Sequence, residues 1–566
     1  MRCKLSKIKI IPLGGVREEG KNIYVVEINN SIFVLDCGLV YPEDELLGID
    51  AVIPDFSYLE ENADRIVGIF LTHGHADAMG ALPYLLGTID APVFGTELTI
   101  ELASISAKVQ GLEDRLENFF KIDEDTEIEF DDATISFFRT THTIPDSVGI
   151  VVSTEDGSIV YTGDFKFDAS ASPLYKTTFG RLTDIGESGV LALLSDSAEA
   201  ESTVENVSDR VVAEDITETF RNAEGRVIVA SIGSNIARIQ QVLDAAYQSK
   251  RTIFMPGSNM YEIVDVAIKL DKIEIPSVKV FGQISDLDKT PDNKVVILET
   301  GGTGEPIKTL QLMAQDRHPE VNIKEGDLVY LATTPSITME TVLAKTQDMI
   351  YRAGASVKAV TDNFKTSGHG GPNDLKMMIN YMNHQYLVPI NGEFRMLSAH
   401  AKLANQLGID DNRIFIPALG DVIEFSKGKA SMTGQVPAGN VLVDGIGVGD
   451  IGNVVLRDRR ILSEDGIFVV VATISRRLKR ILVGPQITSR GFVYMKTSTD
   501  LIEACSDMTL DVLEEHIVRE DFDWSELKGD LRERLGKFLF KETKRRPVIL
   551  PIIMEASNYQ PQNDKE

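Results

Sequence analysis

The stretch LTHGHADAMG, residues 71–80, decides the fold. It follows the apolar run IVGIF (66–70) and sets His73, His75 and Asp77 at alternate positions of one loop. Three metal-ligating side chains this close let a single turn hold an ion without long-range accuracy. The chain has only eight histidines, so two flanking one glycine at a strand end are a poor match to ordinary surface residues. Two more pieces fit. His142, in THTIPDS (141–147), follows another β-rich run, and Asp164, in TGDFKFD (162–168), ends a third. Alone, such a histidine is more often a hydrogen-bonding residue, and such an aspartate a turn former. Together with the first cluster they supply three neutral imidazoles and a carboxylate, with room for a water. Asp36, in LDCG, is read as orienting a ligand rather than binding metal.

Outward from this loop, KIKIIPLGG, NIYVVEI, SIFVLDCG, ATISFFRTTHT, GIVVST and SIVYTGDF each read as a buried strand running into a polar or glycine-rich turn. A helical pattern intervenes between 97 and 120. Two such sheets with helices outside predict an αββα sandwich whose loops gather at one edge. From about 205 the texture becomes strand, glycine loop, helix, as in RVIVASIGSN followed by IARIQQVLDAAYQSK. That rhythm predicts a parallel sheet whose active edge lies at the strand C-termini. YLVPINGEF, near 385, then resumes the first domain, so the parallel sheet is an insertion. The expected boundaries are 1–205 and 371–435 for the sandwich, 206–370 for the insert, 436–464 for a glycine-rich connection and 465–566 for a small α/β domain.

A length of 566 residues suits several domains rather than one core. The opening MRCKLSKIKIIPLGG does not read as a signal peptide, and no apolar run is long enough to span a membrane. Cys3, Cys37 and Cys505 are scattered, without a zinc-type pair, which fits a reducing cytoplasm. The net charge of −29 argues against a surface that coats nucleic acid, so any RNA must be gripped in a local positive channel. Two late basic clusters, Arg476, Arg477, Lys479 and Arg480, then Lys541, Lys544, Arg545 and Arg546, fit RNA or partner contact and fit a solvated face equally well.

HGHAD, THTIPDS and TGDFKFD resemble the successive motifs of the metallo-β-lactamase fold. Asp196 in LLSDS, with GSNIARIQ (233–240), TGGTGEP (300–306) and TSGHGG (366–371), resembles the β-CASP domain of nucleic-acid hydrolases. VDGIGVGDIG (443–452) and GPQITSRGFVY (484–494) are similar to the ribonuclease J family in particular, and the likeness runs from about 8 to 555. The resemblance implies a two-metal 5′-to-3′ exonuclease and endonuclease on RNA. It implies a first metal on His73, His75, His142 and Asp164, and catalytic roles for Asp77, Asp196 and His369. It also implies that Gly233, Ser234 and Asn235, with Lys365, Thr366, Ser367, Gly368 and His369, hold an RNA 5′ monophosphate. A glycine and serine loop of this kind is otherwise plain turn chemistry.

The sequence departs from the family where the second metal belongs. The histidine expected after Asp77 is Ala78, and the family's HGEYR-type motif reads NGEFR, which puts Asn391 in place of histidine. Alanine binds no metal, and an amide oxygen suits Mn²⁺ better than Zn²⁺. Ala237 and Lys365 also stand where the family carries histidine. These losses resemble the second, catalytically degenerate paralogue of the family. The expectation is therefore a divalent metal, Zn²⁺ or Mn²⁺, at one intact and one degenerate site. Partners implied are RNA with a 5′ monophosphate, a more active paralogous subunit, and copies of the chain itself as a dimer or tetramer. A catalytically inactive RNA-binding subunit is the alternative. A lactonase or thioesterase on the same fold is disfavoured by the inserted motifs.

Overall fold

A computed structural model describes residues 7–556 apart from 43–45, 257, 300–305, 333–339, 363, 427, 446 and 494–497. The glycine-rich motif at 300–306 therefore lies almost wholly outside the described residues, as do parts of the motifs at 443–452 and 484–494. The chain divides into two compact units, residues 1–43 with 51–441, and 44–50 with 442–566.

In the first unit an eight-stranded and a six-stranded sheet lie face to face. Ile10, Tyr24, Val26 and Phe33 of one meet Ile135, Phe137, Ile150 and Leu194 of the other in a single core. The alternation along each strand produces this, since every second side chain points into the gap. The outer face of the six-stranded sheet is covered by the helices Phe179–Ser188, Pro372–Met382 and Phe394–Gln406, through Leu182, Leu375, Met378 and Ala404. This is the αββα sandwich.

Strand Val190–Asp196 pairs in parallel with Tyr386–Ile390, so the chain leaves the sheet and returns to its neighbouring position about 190 residues later. Between them stands a five-stranded sheet in which every pairing is parallel. Its middle strand, Val227–Ala230, is buried throughout and leads through residues 231–235 into the helix Ile236–Gln248. Asn235 caps that helix, its side-chain oxygen accepting from the Arg238 amide at 2.9 Å, an arrangement that stabilises a helix by about 1 kcal/mol.

The second unit holds a sheet of Ile467–Ser475 between Arg480–Arg490 and Val548–Glu555. The helices Thr499–Ile517 and Trp524–Thr543 cover it with Cys505, Val512, Leu531 and Leu535. Its basic clusters are partly tied into this fold. Arg476 pairs with Glu555 at 2.6 Å, and Arg545 donates to the carbonyls of Phe492 and Glu464, each at 2.6 Å. Cys37 and Cys505 are buried free thiols. Among the described residues no helix is long and apolar enough to cross a membrane.

Candidate metal centre

Residues 71–75 leave strand Ile66–Phe70 at the edge where the inserted sheet's loops also arrive, and Asp77 stands in the short helix Ala76–Met79 that follows. Its path depends on a close approach. A Cβ on Gly38 would lie 1.6 Å from the Asp77 carbonyl oxygen, so only glycine lets the two backbones meet. The result is a triangle of imidazoles. The ring centroids of His73, His75 and His142 are each 4.8 Å from the other two.

Each ring is oriented from behind. His142 Nδ1 lies 2.9 Å from the Gly368 carbonyl, and His75 Nε2 lies 3.3 Å from the Ser234 carbonyl. A carbonyl only accepts, so the imidazole proton sits on those nitrogens. His73 Nδ1 lies 2.9 Å from the Thr72 hydroxyl. That hydroxyl donates to Asp36, whose carboxylate also receives the Thr72 amide at 2.7 Å and the Tyr161 hydroxyl at 2.6 Å. The Thr72 oxygen is thereby left to accept from His73. Asp36 thus orients a candidate ligand, and burial pushes its carboxyl up to about 7.

The inward nitrogens are then His73 Nε2, His75 Nδ1 and His142 Nε2, all with free lone pairs. His75 Nδ1 and His142 Nε2 are only 3.1 Å apart. Two lone pairs at that distance repel unless a cation lies against both. His73 Nε2 and Asp164 Oδ2 are buried without a hydrogen-bond partner and 3.6 Å from each other. Burial lowers His75 and holds His142 well below the ordinary imidazole range, which disfavours relief of that crowding by a proton, and it holds His73 down to about 3. Burial pushes Asp164 well above the usual carboxylate range, with Asp77 and Asp196 adding to it. Neutral imidazoles facing a strained buried carboxylate fit a divalent cation.

The second position differs. Asp77 Oδ1 stands 4.0 Å from His73 Nε2, which places Asp77, His73 and Asp164 together. However, protein amides already serve both carboxylates. Asn391 Nδ2 donates to Asp164 Oδ1 at 2.8 Å, and Asn22 Nδ2 lies 3.4 Å from Asp77 Oδ2. The Asn391 oxygen, expected from the sequence as a ligand, is turned instead to the Gly20 amide at 3.4 Å. Asn391 sits at φ 49°, a region asparagine tolerates better than most residues. Ala78 is fully buried and offers no donor.

His369 joins the centre from the returning end of the insert. Its Nδ1 lies 2.8 Å from Asp196 Oδ2 and 4.0 Å from Asp164 Oδ2. Burial opposes a charge on His369, but Asp196 and then Asp164 outweigh it and hold the ring well above its ordinary range.

A cavity of about 800 Å³ opens over these groups. Gly233, Ser234, Asn235, Thr366, Ser367, Gly368 and His369 line it, as the motifs suggested. Lys365 is not among its lining residues. The Lys365 amine pairs with Glu199 and reaches the Ser202 hydroxyl at 2.8 Å. Arg238 and Gln241 are among the lining residues that the sequence reading did not single out. Arg238 directly follows Ala237 in the GSNIARIQ motif, and a charged residue in the first turn behind a capping loop was the available signal.

The fold and this centre define a class, a metal-dependent hydrolase of the metallo-β-lactamase superfamily with a β-CASP insert. Family models agree along the chain. Residues 16–204 match the metallo-beta-lactamase superfamily and 224–348 the ribonuclease J beta-CASP domain. Residues 354–417 match the Zn-dependent metallo-hydrolase RNA specificity domain, and 454–556 the ribonuclease J C-terminal domain. Ribonuclease J 2 of Streptococcus pyogenes serotype M3 is 50% identical over 552 residues, 98% of this chain and 100% of that protein. Ribonuclease J 2 of Staphylococcus aureus strain NCTC 8325 is 44% identical over 555 residues, 98% of this chain and 99% of that one. A crystal structure of a protein of unknown function from Enterococcus faecalis V583 shares the fold, with TM-score 0.52 and 13% identity over 74% of this chain and all of that one. The chain belongs to the ribonuclease J family.

Proposed function

We propose that this chain hydrolyses RNA as a weakened 5′-to-3′ exonuclease and endonuclease in RNA processing and decay. It does so in the cytoplasm, beside a more active paralogue. One observation carries the reading. Carbonyls hold the outer nitrogens of His75 and His142 in the candidate first ligand set, whereas amide donors reach both carboxylates of the candidate second. His73, His75, His142 and Asp164 would hold a divalent cation, Zn²⁺ or Mn²⁺. When bound, it would activate water and neutralise charge on the phosphate.

The chain's own groups do the rest. Asp196 takes the Nδ1 proton of His369 in a hydrogen bond, which leaves Nε2–H to donate to the scissile phosphate or the leaving oxygen. Asp77, at the border of both ligand sets, adds negative charge that draws a cation inward. The loops Gly233–Asn235 and Thr366–His369 would seat a 5′ monophosphate with their backbone N–H groups. Residues 465–566 are the segment proposed to join subunits, as a homo-oligomer or with the paralogue.

The second reading, an RNA-binding subunit without catalysis, is favoured by the same amide donors at Asp77 and Asp164. Purified chain assayed on 5′-monophosphate RNA with Mn²⁺, Mg²⁺ and Zn²⁺ in turn separates the two. Turnover above metal-free controls, lost in His73→Ala, supports the enzyme. Binding without turnover in every metal supports the subunit.

A further inference from the structure

The cavity holds a charge that no carboxylate among the described residues pairs with directly. Arg238 lies in the first turn of the helix Ile236–Gln248, lines the cavity, and is only 6% exposed. Its Nη1 donates to the neutral Gln241 oxygen at 2.8 Å, and its Nε has no partner. Among the described residues it makes no ion pair. The carboxylate that acts on it, Asp209, is already paired with Lys166 at 3.0 Å. A guanidinium keeps its charge at any ordinary pH, so burying it unpaired destabilises the fold unless an anion arrives. Among the described residues it is also the one lysine or arginine lining the cavity. Lys365, which the motif offered for this task, is committed to Glu199.

We propose that Arg238 is the cation that reads the 5′ phosphate of the RNA end, and that Lys365 is not; the RNA part of this rests on the function proposed above. The planar guanidinium matches a phosphate by paired hydrogen bonds, and the Asn235-capped helix start beside it adds a field of the same sign. In a chain of net charge −29 one desolvated arginine can decide which end of an RNA is held.

The test uses full-length protein in Mn²⁺ buffer and phosphorothioate-linked oligoribonucleotides with 5′-monophosphate or 5′-hydroxyl ends. Fluorescence anisotropy reads affinity, and thermal melting in chelator, with and without inorganic phosphate, reads the anion site alone. Arg238→Gln and Arg238→Met should bind the 5′-monophosphate oligonucleotide at least tenfold more weakly and the 5′-hydroxyl one within twofold of the parent. Lys365→Gln should change neither by more than twofold. Phosphate should raise the melting temperature of the parent and not that of Arg238→Met. In phosphate-free buffer Arg238→Met should melt at or above the parent, which a structural arginine would not allow. Equal losses for both ends, a persistent phosphate shift in Arg238→Met, or the loss appearing in Lys365→Gln would each overturn the assignment. If the parent ignores the RNA end yet keeps an Arg238-dependent phosphate shift, the anion site stands and the RNA reading fails. If it shows neither, the Arg238 proposal falls.

Discussion

The imidazole Nδ1 of His142 lies 2.9 Å from the carbonyl oxygen of Gly368, a residue 226 positions further along the chain. With the matching contact from Ser234 to His75, the inserted domain's loops set the tautomers of two candidate metal ligands that belong to the sandwich. The segment proposed to hold substrate is thus also the segment that aims the ligands, which couples the two tasks through two hydrogen bonds.

That coupling predicts an effect of Gly368→Ala. A Cβ there would lie 2.7 Å from His142 Cε1 and 3.0 Å from its Nδ1, so the ring must turn. Metal affinity should fall by about 10–100-fold, the usual cost of disturbing a group that orients a ligand. Titration calorimetry with Mn²⁺ or Zn²⁺ measures it. Unchanged affinity in a normally folded variant would show that the carbonyl does not set the ring.

The ligand losses at the second position predict metal content. Protein purified without added metal should carry at most one tightly held ion per chain. Two stoichiometric zincs by elemental analysis would overturn the argument from Ala78 and Asn391. Restoring either histidine alone leaves an ion under-coordinated. Ala78→His with Asn391→His should therefore raise RNase activity by more than the product of the single effects, and raise bound metal toward two. Histidine is acceptable at φ 49°, so Asn391→His keeps the backbone, while Ala78→His enters a fully buried position and should lower thermal stability by about 1–3 kcal/mol unless its ring reaches the metal. A double variant that binds two ions and stays inactive would move the blame to the substrate loops, Ala237 first.

The Asp196–His369 pair predicts a shift in the pH profile. Asp196 is the largest influence raising His369, so removing its charge lowers the pH at which the ring gives up its proton. If the protonated ring is the donor, the rate falls above that pH. Asp196→Asn should then move the basic limb of kcat/KM to lower pH, and a limb that stays in place would remove His369 from the acid role.

Two histidines outside the centre predict acid sensitivity. Burial holds His384 down to about 4 and His400 down to about 3. The unfolded chain takes up these protons near the ordinary value of about 6.5, before the folded one does. Above that pH neither state is protonated and nothing is lost. As pH falls from there toward 4 and then 3, stability should decline. Urea midpoints at pH 7.5 and 5.0 in chelator measure the decline, and His384→Asn with His400→Asn should flatten it. An equal decline in that double variant would assign the effect to the metal-ligand histidines instead.

Local order in the sequence was enough for the sandwich, the parallel insert and the candidate ligand cluster. Strand periodicity and a ligand at every second position are properties of neighbouring residues, and Ile66 to Gly80 carries both. That positions 78 and 391 carry no imidazole was equally legible, because residue type needs no coordinates. The tertiary structure alone decided where charges and lone pairs ended up. It turned the Asn391 oxygen to Gly20 and its amide to Asp164, drew Lys365 to Glu199, and left Arg238 unpaired in the cavity wall. Each outcome depends on a partner 166, 227 or 371 residues away or on a desolvation that only packing creates. Residue type states what a side chain can offer, and the fold decides which offers are already taken.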